Sequence, residues 1–152
     1  MRKLAAVEEA RALMQEAIDW GLWRWLLEKA RVREVADRAT AALDQADRRA
    51  KANWSDELKH AYQDLPTHKK PVKKSQDPPG LDISSAVRLA AKDLKQADDE
   101  AERARLDAEH TFDEAERRMS TDMAREGARK ALRTYDLREV AIQKSEAASH
   151  RK

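Results

Sequence analysis

Apolar residues recur every three or four positions from Leu4 onward. Val7, Ala10, Met14, Ile18, Leu22 and Trp25 come first; after one missed turn near Glu28 and Lys29, Val32, Ala36, Ala39, Leu43, Ala46, Ala50, Trp54, Leu58, Ala61 and Leu65 follow. This spacing marks one face of an α-helix. No proline interrupts before Pro66, so the pattern predicts a single helix over about 3–64, roughly 90 Å long at 1.5 Å per residue. A weaker alternative is a break at 53–55, where Ser55, Asp56 and Glu57 can cap a fresh short helix.

Residues 65–82 hold all four prolines and Gly80 and cannot continue a helix. They are expected to form a loop, the most mobile internal segment of the chain. Asp82 or Ser84 then caps a second helix over about 83–147. Its stripe runs from Val87 through Leu94, Ala101, Ala108, Phe112, Met119, Met123, Gly127 and Ala131 to Tyr135.

The fold class is therefore all-α: two long helices in an antiparallel helical hairpin, associating into a larger bundle. Mean spacing is about 3.6 residues per step in the first stripe and about 3.7 in the second. A left-handed coiled coil requires 3.5, so the coiled-coil-like packing is expected to be nearly straight. Facing residues should have numbers summing to about 148, which places Trp54 near Leu94 and Gly21 near Gly127.

Composition narrows the function. Charged residues make up 39% of the chain and aromatics 5%, against about a quarter charged in ordinary proteins. Such a chain suits long helices with a narrow buried stripe. The net charge of +2 lies wholly in the loop, where Lys69, Lys70, Lys73 and Lys74 form the one concentrated basic patch. They are a possible anion-binding site for phosphate backbone or lipid headgroups, although a solvated loop is the simpler account. There is no cysteine, so thiolate metal sites and cysteine nucleophiles are excluded. Glu8, Glu9, Arg11 and Glu16 occupy the place of a signal-peptide core, and a cytoplasmic protein is expected.

Glu57 with His60, and Asp107 with His110, approximate the Glu-x-x-His spacing of bundle metal sites. In the hairpin they stand far apart along the axis, and accidental spacing explains them better. Ser84 and Ser85 read as caps rather than nucleophiles. No metal, cofactor, small-molecule substrate or catalytic residue is expected, and the chain is not read as an enzyme. Charge is segregated along the second helix, with a net of −7 over 98–116 and +4 over 117–138. That suits either a solvated face with i,i+4 pairs or register control by another chain.

One segment is apolar on two faces. On a helical wheel Met14, Ile18, Leu22 and Trp25 point inward, while Leu13, Ala17, Trp20, Trp23 and Leu27 lie on the opposite side. Leu13, Trp20, Trp23 and Leu27 are therefore expected to be a partner-binding surface for a second copy or another helical protein. An anionic membrane or nucleic acid, met through the Trp-rich segment and the lysine loop, is the alternative. A Trp20→Glu, Trp23→Glu double change is expected to abolish association and leave helicity intact.

Overall fold

The computed structural model describes residues 4–65 and 84–149. All regular structure within them is α-helical: α1 Ala5–Ala17, α2 Leu22–Ala52, α3 Asp56–Gln63, α4 Ser85–Arg118 and α5 Thr121–Ser149. The loop expected at 65–82 lies outside the described residues apart from Leu65, and so do Lys69, Lys70, Lys73, Lys74 and the candidate cap Asp82. Ser84 does cap α4, its Oγ accepting from the Val87 N–H at 3.3 Å. The all-α class is as expected. The two uninterrupted helices are not found, because the chain breaks three times more.

The first break is at 18–21. The Asp19 and Trp20 amides donate to the Glu16 and Ala17 carbonyls, both at 3.1 Å, closing α1 with a tightened last turn. Gly21 follows in extended conformation as the N-cap of α2. A glycine that would cost about 1 kcal/mol inside a helix thus sits outside one. The second break is at 53–55, where the Ser55 Oγ accepts from the Leu58 N–H at 3.3 Å. Asp56 and Glu57 fill the first turn of α3, favourably placed against the helix dipole.

The third break is at 119–120. Met119 adopts the left-handed conformation, φ 52° and ψ 42°. The Ser120 amide donates to the Ala115 carbonyl at 3.1 Å and the Met119 amide to Glu116 at 3.3 Å, the paired bonds that close a helix C-terminus. The Ser120 Oγ then accepts from the Met123 N–H at 3.2 Å, starting α5. Met119, expected on the inner stripe, is half exposed at this turn. A side chain in the left-handed region costs about 1 kcal/mol or more. Met119→Gly is therefore expected to stabilise the protein by about 0.5–1 kcal/mol in urea unfolding; a loss would show that the Met119 side chain contributes more than its backbone costs.

Helix α5 is the hub. Its buried positions are mostly small, among them Ala124, Gly127, Ala128, Ala131 and Ala141, so neighbours approach it closely from several sides. Helix α1 runs antiparallel to it: Arg11 pairs with Asp136 and Glu139, and Arg125 donates to the Trp20 carbonyl from Nε and Nη2 at 3.1 and 3.0 Å. Helix α2 runs parallel to it, with Arg138 on Asp44 at 2.6 Å and the Trp54 indole N–H on the Ser145 carbonyl at 3.2 Å. Helix α4 folds back along it, with Lys130 on Asp107 at 3.1 Å and Lys144 on Asp93 at 3.0 Å.

Helices α2 and α4 were expected to lie directly on each other, yet among the described residues no Cα of one comes within 8 Å of the other. They meet through side chains. Arg33 reaches Asp113 at 2.5 Å and Glu116 at 2.8 Å, and the Trp25 ring stacks on Phe112 with centroids 6.0 Å apart and planes 6° apart. Trp54 and Leu94 share a small core with Leu58, Ala61 and Ala91, where α3 turns back along α4. The contacts of Arg125 with the Trp20 carbonyl and of Arg11 with Asp136 bring Gly21 and Gly127 to about the same level, but their surroundings differ. A Cβ built on Gly21 meets nothing within 4 Å, whereas one on Gly127 falls 2.8 Å from Phe112 Cδ1.

Candidate interaction surface

The structure divides the four residues expected to form one patch. Leu13 and Trp20 are buried, 3% and 4% exposed, while Trp23 and Leu27 are 81% and 84% exposed. The reason is the turn at 18–21. Because α1 folds back on α2, Leu13 and Trp20 point into the core that α1, α2 and α5 share, and the second apolar face finds its cover inside the chain. Trp20 is fixed further by the guanidinium of Arg24, 4.9 Å above its ring. A glutamate at position 20 would now disrupt the core itself, so the expected Trp20→Glu, Trp23→Glu test cannot separate association from folding.

Trp23 and Leu27 remain as neighbours one turn apart near the start of α2, with Leu22 40% exposed beside them. The parallel pairs Asp44–Arg138 and Trp54–Ser145 set an offset of about 91–94 residues between α2 and α5. On that offset Trp23 and Leu27 stand level with the α4–α5 turn, where the half-exposed Met119 also lies. The other three tryptophans are buried. Trp23 is the one indole offered to solvent.

A groove of about 160 Å³ opens where α2 and α4 fail to meet, walled by Val32, Ala36, Ala108, Phe112, Ala131 and Tyr135. The cations on its rim are engaged, Arg33 by Asp113 and Glu116 and Arg105 by Glu102 and Glu109. Burial pushes the Tyr135 hydroxyl up to about 12.

At the other end of the bundle Lys51 stands between Asp47 at 3.0 Å and Asp98 at 2.9 Å, and Asp98 also accepts from the Tyr62 hydroxyl at 2.6 Å. Burial raises the Tyr62 hydroxyl pKa above its usual range, and Asp98 raises it further. For Lys51 burial acts downward, but Asp98 and Asp47 outweigh it and hold the ammonium above its usual value. Sequence reasoning missed this cluster, because its members lie on three helices and share no spacing.

The charge segregation of 98–116 and 117–138 is answered in part by pairs along the helices themselves, Arg105 with Glu102 and Glu109 and Arg118 with Glu114, and in part by pairs between helices. Acids of α4 pair across helices within the chain, Asp98 with Lys51, Asp107 with Lys130, and Asp113 and Glu116 with Arg33. Among the described residues no group of three or more ligand-type side chains could hold a metal ion, and no helix is long and apolar enough to cross a membrane. Comparison with protein-family models, curated proteins and solved structures finds no match to the chain.

Proposed function

We propose that the chain is a non-enzymatic helical association module, a scaffold or oligomeric subunit, that joins copies of itself or another helical protein through the Trp23–Leu27 face of α2. The supporting observation is the exposure of these two side chains, 81% and 84%, in a protein that buries its other three tryptophans. Burying a large apolar side chain is worth about 1.5–3 kcal/mol, and tryptophan is enriched where binding energy concentrates.

Trp23→Glu with Leu27→Glu removes the apolar face without touching the core, unlike any change at Leu13 or Trp20. It is expected to reduce an associated form to monomer in light scattering while the thermal midpoint and helicity stay near those of the unmodified chain. Unmodified protein that remains monomeric at high concentration would overturn self-association and leave the face to another helical protein. Co-sedimentation with anionic vesicles that salt abolishes would favour the alternative, peripheral contact with an anionic membrane or nucleic acid.

A further inference from the structure

The turn between α4 and α5 is made from residues that suit a helix. Met119 is the one non-glycine residue at positive φ among the described residues, in a conformation that glycine or asparagine adopts far more readily. No glycine or proline stands between Ser85 and Gly127. Ala115, Met119, Met123 and Gly127 step by four straight through the turn, so a helix continued across it keeps one inner face. Residues 85–149 then form a single helix of about 97 Å. Joining α4 to α5 also gives the last carbonyls of one and the first amides of the other the partners that helix ends lack. The closed turn is held against this by little: the Ser120 Oγ on the Met123 N–H at 3.2 Å and the two backbone bonds to Ala115 and Glu116.

The contacts between α4 and α5 fix what an opened chain pairs with. Lys130 lies 3.1 Å from Asp107 and 3.0 Å from the Thr111 Oγ1, Lys144 lies 3.0 Å from Asp93, and Phe112 lies against Gly127. The residue numbers in these pairs sum to about 237–241, so each pair is centred on 119–120, the turn itself. Two uninterrupted helices laid antiparallel about a twofold axis at 119–120 therefore restore every one of them, with Lys130 of one copy on Asp107 of the other. The contacts of α5 with α1 and α2, such as the Trp54 indole on the Ser145 carbonyl, are restored between copies in the same way. No new surface is needed.

We infer that Met119–Ser120 is an exchange joint: two copies open there and trade α5, forming an isologous dimer in which α1–α4 of each copy pack on α5 of the other. This goes beyond the association proposed through Trp23 and Leu27 and makes no use of that face. Because α5 packs against α1, α2 and α4, it must leave three partners to be exchanged. The dimer therefore forms when concentrated chains fold together, not when folded copies meet.

Isotope mixing tests it. Equal amounts of full-length chain carrying light and heavy nitrogen are unfolded together, refolded at high concentration and separated by gel filtration. A carbodiimide, which joins a neighbouring amine and carboxylate as an amide, then links Lys130 to Asp107 and Lys144 to Asp93 where they stand. In the exchanged dimer these links run between chains, and by random pairing about half of the linked peptides should carry one light and one heavy partner. In copies joined face to face the links stay within one chain, and none is mixed. A dimer fraction without mixed links overturns the inference. Two variants set the direction, each counted twice because the dimer holds two joints. Met119→Gly relaxes the turn and opposes the helix, and is expected to lower the dimer-to-monomer ratio about tenfold or more. Ser120→Ala removes the α5 cap and favours the helix, and is expected to raise it about tenfold or more. Ratios that do not move in opposite directions overturn the inference, as does the absence of any dimer from both the unmodified chain and Ser120→Ala.

Discussion

Phe112→Ala is expected to lower the unfolding free energy by about 3–5 kcal/mol, and Gly127→Ala to lower it by up to about 2 kcal/mol for the opposite reason. The Phe112 ring is buried between α4 and α5, stacked on Trp25 at 6.0 Å, and it is how α4 reaches α2 at this level. Removing it leaves a cavity that two backbones without mutual contact cannot close. At Gly127 an added Cβ would lie 2.8 and 2.9 Å from ring carbons of Phe112, closer than carbon atoms can stand. The ring cannot retreat without leaving Trp25, so overpacking of about 1–3 kcal/mol outweighs the roughly 1 kcal/mol that alanine contributes to helix propensity. The sign should then depend on the partner. In the Phe112→Ala background the obstruction is gone, and Gly127→Ala should turn stabilising by up to about 1 kcal/mol. Urea unfolding of the four proteins measures this coupling; equal effects of Gly127→Ala in both backgrounds would show that the contact is not rigid.

Lys51→Met is the second change expected to have a large effect, about 2–3 kcal/mol. The ammonium lies 2.9 Å from Asp98 and 3.0 Å from Asp47, whose side chains are only 12% and 10% exposed. Removing the cation leaves Asp98 with the Tyr62 hydroxyl alone and Asp47 with only the more distant Arg138, at 3.7 Å. A fully buried pair broken in this way loses about 3–5 kcal/mol, and the partial exposure of Lys51 reduces the figure through solvent screening. Because its folded pKa is raised, the Lys51 contribution is complete below its ordinary value near 10.5 and is lost as pH rises through the folded one. The loss should therefore be full at neutral pH. Asp98→Asn, which keeps an acceptor for the Tyr62 hydroxyl, should recover part of it in the Lys51→Met background. Unfolding at pH 7 checks both; no recovery would place the cost on Asp47 or on lost packing of the lysine stem.

Helix periodicity was legible almost throughout, and where it misled, the cause is specific. The break at 53–55 carries a readable start signal in Ser55, Asp56 and Glu57. Ser120 begins α5 in the same way, but no glycine or proline stands before it, and the apolar spacing from Ala115 through Met119 to Met123 runs on in phase. A methionine in the left-handed region therefore hides a full reversal of the chain. At 18–21 the signal is present, but the sequence does not say what covers the second apolar face. A segment apolar on two faces needs two neighbours, and here one of them is the same chain doubling back, which removes Leu13 and Trp20 from the surface and leaves Trp23 and Leu27. Charge segregation on α4 and α5 shows the same ambiguity, because a pattern that demands opposite charge nearby does not say which chain supplies it.

The two-residue link between α4 and α5 also sets the order in which chain entropy is lost. The contact of Lys130 with Asp107 spans 23 residues, whereas that of Arg138 with Asp44 spans 94. By the logarithmic cost of closing a flexible loop, the longer contact costs about 1.2 kcal/mol more when formed from the open chain. Once α4 and α5 lie together, α5 carries its binding positions for α1 and α2 to within reach of a shorter closure through residues 64–84. The helix at the centre of the packing is thus joined to α4 by a short link, and on loop-closure cost alone the N-terminal half is expected to dock after α4 and α5 have paired.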